Sequence, residues 1–211
     1  TCKADPIDVA TGEMLSLLKG FNLPGPIPFN WEVNYHSQQE YNGPLGQGMY
    51  HSYDFRLRES KIDNSVILND NEGRNLSFDI PENGEFSYNA TDKYKLYKNE
   101  NGQYYIQTLT GLFYYFTKSA DTQGNHQLQS IVNRNAFSIQ FEYDQNLKLI
   151  KIKDSADRNI RVEYNKNNKI SALFLTNPNK LGEEFTPVIY EYQANKLHKV
   201  YDALSRVNTL E

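Results

Sequence analysis

The chain has 211 residues, a formal net charge of −4 and 38% hydrophobic residues, enough mass for a real core but no basic excess of the kind nucleic-acid binders concentrate on one face. One cysteine, Cys2, excludes an intrachain disulfide framework, and no apolar run reaches the length of a membrane-spanning helix. Sixteen Tyr and eleven Phe against two Met favour strands over helices.

The first ten residues lack the charged and apolar regions of a signal peptide. Asp5, Asp8 and Glu13 form the densest acidic group. Read as chemistry, it would be a calcium or catalytic site; read as structure, Asp8 and Thr11 hydrogen-bond the amides of a turn, and the structural reading is the one carried forward. Thr11 to Lys19 has Leu15 and Leu18 near helical spacing and reads equally well as a strand. Proline fixes φ and glycine supplies positive φ, so Leu23-Pro24-Gly25-Pro26 and Gly43-Pro44-Leu45-Gly46-Gln47-Gly48 punctuate short strands. Phe29, Trp31, Val33 and Tyr35 alternate with Asn30, Glu32 and Asn34, and Tyr53, Phe55 and Leu57 alternate with Asp54, Arg56 and Arg58. Both patterns predict half-buried strands. Residues 1–58 thus form a Gly/Pro-rich β segment.

Residues 59–120 read as hairpins. Val66-Ile67-Leu68 leads into a turn over Asn69 to Arg74, with Leu76 and Phe78 beyond it, and Tyr104-Ile106 and Phe113-Tyr115 flank Thr110-Gly111. Residues 121–211 are an internal repeat. Leu128, Ile131, Asn133, Ile139, Phe141 and Tyr143 precede Leu149, Ile152, Asp154, Ile160, Val162 and Tyr164 by twenty-one residues each. A third copy opens at Lys169-Ile170, carries an insertion around Asn177 to Gly182 and closes at Tyr190-Glu191-Tyr192. A fourth begins with Leu197, Val200, Asp202 and Arg206. The natural protein is expected to run on past Val207, and a sheet cut there is expected to pair with a second copy through its last strand.

The search for chemistry returns little. His36, His51, His126 and His198 show no zinc-ligand spacing, no Gly-x-Ser-x-Gly elbow exists, Cys2 has no partner for nucleophilic work, and Gly46-Gln47-Gly48 lacks the rest of a phosphate-binding fingerprint. No catalytic, cofactor or metal residue is therefore assigned, and no enzyme activity is expected. Trp31 and the tyrosines leave a sugar-stacking module open beside the reading in which they form core and cross-strand pairs.

The stretch from Asp5-Pro6 through Asp8 and Thr11-Gly12-Glu13, then Pro24-Gly25-Pro26 to Trp31 and Tyr35, resembles the opening of the core of bacterial Rhs proteins. Gly43-Pro44-Leu45-Gly46 and Gly48 continue the match. Asp70 to Arg74, Asp154 to Arg158 and Asp202 to Arg206 resemble the turn of that family's tyrosine-aspartate repeats, usually Gly before Arg. Gly73-Arg74 keeps that form, whereas Asp157 and Ser205 replace the glycine and Phe137 replaces the arginine in the first copy. The resemblance implies an all-β fold in which antiparallel hairpin repeats form the start of a curled, spiralling shell, preceded by a β cap or plug at residues 1–58. It implies a fragment of a polymorphic toxin-delivery protein used in bacterial competition. Its partners would be the rest of the shell and the toxin domain in cis, and an upstream PAAR domain and VgrG spike. The protein would be held in the bacterial cytoplasm and exported by the type VI system, with no nucleic acid and no membrane insertion by this region. A carbohydrate-binding or adhesin-like repeat of the teneurin type is the alternative.

Overall fold

The structure is a computed structural model that describes residues 12–82, 84–119, 124–177, 180 and 182–210. Within them every regular element is a strand. In chain order these are β1 (Leu15–Leu23), β2 (Phe29–His36), β3 (Asn42–Gly43), β4 (Gly46–Gln47), β5 (Met49–His51), β6 (Arg56–Ser60), β7 (Ser65–Asn69), β8 (Asn75–Asp79), β9 (Phe86–Asn89) and β10 (Tyr94–Lys98). They continue as β11 (Tyr104–Gln107), β12 (Phe113–Lys118), β13 (Asn125–Val132), β14 (Ser138–Tyr143), β15 (Leu149–Lys153), β16 (Asn159–Tyr164), β17 (Ile170–Thr176), β18 (Glu184–Gln193), β19 (Lys196–Asp202) and β20 (Val207–Thr209). The segment carrying Leu15 and Leu18 is strand, not helix, because β1 has a long antiparallel partner in β2. The chain folds into two compact units, residues 1–53 with 143–211, and residues 54–142.

In the first unit, β1, β2 and β5 form a three-stranded antiparallel sheet. Phe29, Trp31 and Val33 are buried on one face of β2, as the period of two requires, and Asn30 is exposed between them. A register shift between Lys19 and Phe21 brings Gly20 against Trp31, where any Cβ would collide with the Trp31 carbonyl. The repeat strands β15 to β20 pair antiparallel in chain order. Ile152, Ile160, Ile170 and Leu173 are fully buried on one face, and β20 is an exposed edge.

In the second unit the strands run β14-β13-β12-β11-β10-β9, and the sheet forks at β13, whose first residues also pair with β6 of a β6-β7-β8 branch. β6 runs through residue 58, so Asp54 to Arg58 group with the hairpins that follow them. Leu57, Val66, Leu96, Tyr104, Phe116 and Leu128 are fully buried. The opposite face carries an aromatic ladder: Tyr97 stacks on Tyr105 at 4.8 Å and 2°, and Tyr105 on Tyr115 at 5.2 Å.

One turn connects most of these strands in both units. At Asp70, Asn99, Thr108, Asn133, Asp144, Asp154, Asn165 and Asp202, residue i gives its N–H to the carbonyl of i+4, and i+3 gives its N–H back to the carbonyl of i. The side-chain oxygen of residue i also accepts the N–H of i+4, for example at 2.9 Å from Asp70 to Arg74 and 3.1 Å from Asn165 to Lys169. Residue i+3 is left-handed whether it is Gly73 (φ 74°), Leu147 (62°), Asp157 (63°) or Ser205 (59°). The absent glycines therefore leave the geometry intact and cost strain. Replacing the exposed Ala136 (φ 63°) with glycine is expected to raise stability by roughly 0.5 kcal/mol, the relief of left-handed strain less the extra chain entropy of glycine, read by thermal unfolding.

Candidate functional site

The amino-terminal segment of the first unit is held onto the repeat strands of the same unit at three places. The first is the loop between β1 and β2. Pro24 and Pro26 have no N–H and fixed φ, so the loop offers carbonyls, and Ile27 is buried. Ser155, at the tip of the Asp154 turn, accepts the Ile27 N–H at 2.9 Å and donates to the Ile27 carbonyl at 2.7 Å. Arg158 is held by Asp154, Nε to Oδ2 at 2.7 Å and Nη2 to Oδ2 at 2.6 Å, and Nη2 also donates to the Pro24 carbonyl at 2.5 Å. The Asp154 carboxylate also accepts the N–H groups of Ala156 and Arg158, both at 2.9 Å, so a buried charge has four partners. Gly25 faces Ser155 so closely that an added Cβ would stand 3.0 Å from its Oγ.

The second place is the β3–β4 hairpin. Its tip, Pro44-Leu45, buries Leu45 completely, and the Pro44 carbonyl accepts the N–H of Ile170 at 2.8 Å. Lys169 donates to the Asn42 side chain at 2.6 Å and to the Gly43 carbonyl at 2.7 Å. Burial lowers the Lys169 pKa, since these acceptors are neutral. Gly48 ends the hairpin at φ 67°, with the His36 carbonyl where a side chain would sit.

The third place is the core beneath the small sheet. Trp31 is fully buried, stacks on His51 at 4.7 Å, and donates its indole N–H to the Tyr190 hydroxyl at 2.8 Å. Burial raises the Tyr190 pKa, and the hydrogen bond from Trp31 partly opposes it.

The remaining sequence-predicted positions are distributed as follows. Asp5, Pro6, Asp8 and Thr11 lie outside the described residues. Gly12 has φ 71°, and Glu13 sits 3.5 Å from His36. Tyr35 pairs with Ser16 and Met49 in the small sheet. Pro24, Gly25, Pro26, Trp31, Gly43, Pro44, Leu45 and Gly46 gather at or beside the three contacts. Asp70, Gly73 and Arg74 form the same turn in the other unit, where Arg74 also pairs with Asp92 at 2.5 Å. The tyrosines have a specific task. Tyr164 donates to the Leu149 carbonyl at 3.0 Å and Tyr192 to the Ile170 carbonyl at 2.8 Å, each beside a register shift in its strand pairing. Tyr143 closes β14, and Asp144 after it opens the common turn.

Ser155, Arg158, Lys169 and Tyr190 were not legible as contact residues, because their partners lie up to 159 positions away in the chain. The Asn/Asp spacing of eleven, ten and eleven from Asn133 to Asp144, Asp154 and Asn165 was a usable signal that each twenty-one-residue repeat contains two turns of one kind. Trp31 has no exposed face, which removes it as a sugar platform. In the ladder Tyr105 is stacked between Tyr97 and Tyr115, a cross-strand pairing of aromatic rings. His36 packs edge-on to Tyr50 and His51 lies on Trp31, so the two histidines of the small sheet serve different neighbours. Among the described residues, no group of three His, Cys, Asp or Glu is placed to hold a metal, and no helix is long and apolar enough to cross a membrane.

Residues 4–78 match the profile of a domain described as DUF6531, a domain of unknown function. The double-stranded DNA deaminase toxin A of Burkholderia cenocepacia (strain H111) is 28% identical over 115 residues, 53% of this chain and 8% of that protein. The crystal structure of TcdB2-TccC3-Cdc42 superposes on 93% of the chain with a TM-score of 0.57 at 12% identity, and that of TcdB2-TccC3 without its hypervariable C-terminal region on 95% with 0.55 at 13%. The chain spans 15% and 16% of those two chains. By sequence and by fold it is similar to short segments of much longer proteins, and it shares the antiparallel all-β architecture of TcdB2-TccC3.

Proposed function

We propose that this chain builds the start of a β shell that carries a toxin, and that residues 12–53 close the shell at one end. The fold, the DUF6531 match and the toxin-named relative support a toxin-delivery shell fragment. The observation that carries the cap is the triple attachment of the amino-terminal segment to successive repeats, at Ser155 and Arg158, at Lys169 and Ile170, and at Tyr190. Those bonds use backbone carbonyls and buried aromatic rings, the chemistry of a permanent lid, so the role proposed is structural and not catalytic. On this reading a PAAR domain and VgrG spike precede the segment, and the protein waits in the cytoplasm for type VI export.

The test is protease protection in the full-length protein. Removing residues 1–53 is expected to leave the sheet assembled and to admit protease to the enclosed toxin domain. The deletion ends at Tyr53, since β6 is part of the second unit's sheet. The double variant Arg158→Ala, Lys169→Ala, which unfastens two attachments without removing the core, is expected to give partial access. Undiminished protection in both variants would overturn the cap assignment.

A further inference from the structure

His126 is the one histidine between residues 54 and 142, and it occupies the fork of the second unit's sheet. At this position β13 pairs with Lys118 of β12 on one side and with Leu57 of β6 on the other. The residue is 2% exposed, and neither ring nitrogen has a hydrogen-bond partner among the described residues. The fully buried Tyr104 of β11 meets the ring edge-on at 5.2 Å; its hydroxyl is within the field of Glu59 and has no partner at hydrogen-bond distance among the described residues. The charged groups facing the imidazole are Glu59 of β6, whose Oε1 is 3.7 Å from Nε2, Lys118 of β12, and Lys98 of β10, whose ammonium lies over the Tyr104 ring. Burial of this kind disfavours the charged form of an imidazole.

We propose that His126 is an acid-sensitive latch: a proton taken up by its imidazole releases the β6-β7-β8 branch from β13. An imidazolium needs hydrogen bonds or water on both nitrogens, and among the described residues the anionic group that faces it in the closed fork is Glu59, on the Nε2 side. The route to water runs through β6. That strand is joined to β13 at Asn125, His126 and Gln127 alone, with one further bond from the Glu59 N–H to the Gly124 carbonyl, whereas β12 pairs along the length of β13. Burial lowers the pKa below the ordinary 6.5, with Glu59 opposing and Lys118 and Lys98 assisting. The sign follows from linkage. Above 6.5 the ring is neutral in both the closed and the open fork. Below it the open fork binds the proton first, so closure weakens as pH falls towards the depressed closed-state value, and then levels off.

Hydrogen exchange on the 211-residue chain between pH 7 and 5 tests this, with rates expressed as protection factors so that the intrinsic pH dependence is removed. The amides of β6 and β7 are expected to lose protection by up to tenfold per pH unit below about 6.5, the slope for one proton, while β16 to β18 stay flat. His126→Phe, which fills the same buried space, is expected to abolish the slope. Glu59→Gln, which removes the one group favouring the cation in the closed fork, is expected to let protection keep falling to a lower pH than in the parent chain. An unchanged slope in His126→Phe, a slope spread equally over both units, or, if His126→Phe does not fold, an unchanged profile in Glu59→Gln would overturn the latch.

Discussion

Replacing Trp31 with alanine is expected to destabilise the first unit by roughly 3–5 kcal/mol, the cost of emptying a fully buried aromatic site. The indole fills the space between the small sheet and the repeats, stacks on His51 and is the hydrogen-bond donor to the buried Tyr190 hydroxyl. Trp31→Phe restores part of the volume but leaves that hydroxyl without its donor, so a residual loss of about 1–3 kcal/mol is expected. Tyr190→Phe in the same chain should recover most of it, because both polar partners are then gone. Urea unfolding followed by circular dichroism reads these values, the chain's one tryptophan being absent from the variants. Hydrogen exchange should place the loss in residues 12–53 and 143–210. Unchanged stability combined with loss of glycan binding would be the signature of a sugar platform instead.

Asp154→Ala is the second large effect, on the order of 3 kcal/mol. A carboxylate 2% exposed accepts two backbone N–H groups and holds Arg158, so its removal strands two amides and frees a guanidinium. The chain contains its own control. Asn165 makes the same two amide contacts with no arginine, at 2.9 and 3.1 Å, and Asn133 does so at 3.0 and 3.1 Å. Asp154→Asn is therefore expected to keep the turn and lose about 1 kcal/mol. It should also loosen Arg158 from the Pro24 carbonyl, so exchange of the Gly25, Ile27 and Phe29 amides should rise in Asp154→Asn and Asp154→Ala alike. A full-strength turn in Asp154→Ala would show that the left-handed residue at Asp157 and the backbone pair suffice.

Much of this architecture is local and so was written in short stretches of sequence. Alternation places Phe29, Trp31 and Val33 inside without reference to any distant residue, because successive side chains of a strand point to opposite faces. The Asn or Asp that opens each turn bonds amides two and four positions on, and the twenty-one-residue period follows from two such turns. The same locality explains why Asp157 and Ser205 could replace glycine, since the side chain of the first residue and the backbone pair hold the left-handed position.

What tertiary structure decided is whatever depends on contacts between distant positions. Alternation turns Trp31 inward and favours the core reading over a stacking platform, but its partner there, the Tyr190 hydroxyl 159 positions along the chain, is set by tertiary structure. The Gly/Pro motifs are recognisable as loops, but Ser155, Arg158 and Lys169 become their anchors through packing, and a lysine or serine on a repeat turn carries no mark of that use. The fork at β13, with His126 closed inside it, likewise has no sequence signature: a strand that pairs with one neighbour and a strand that pairs with two have the same period of two. Periodicity sets which face of each strand is apolar, while the partner of that face is chosen by the free energy of the whole fold.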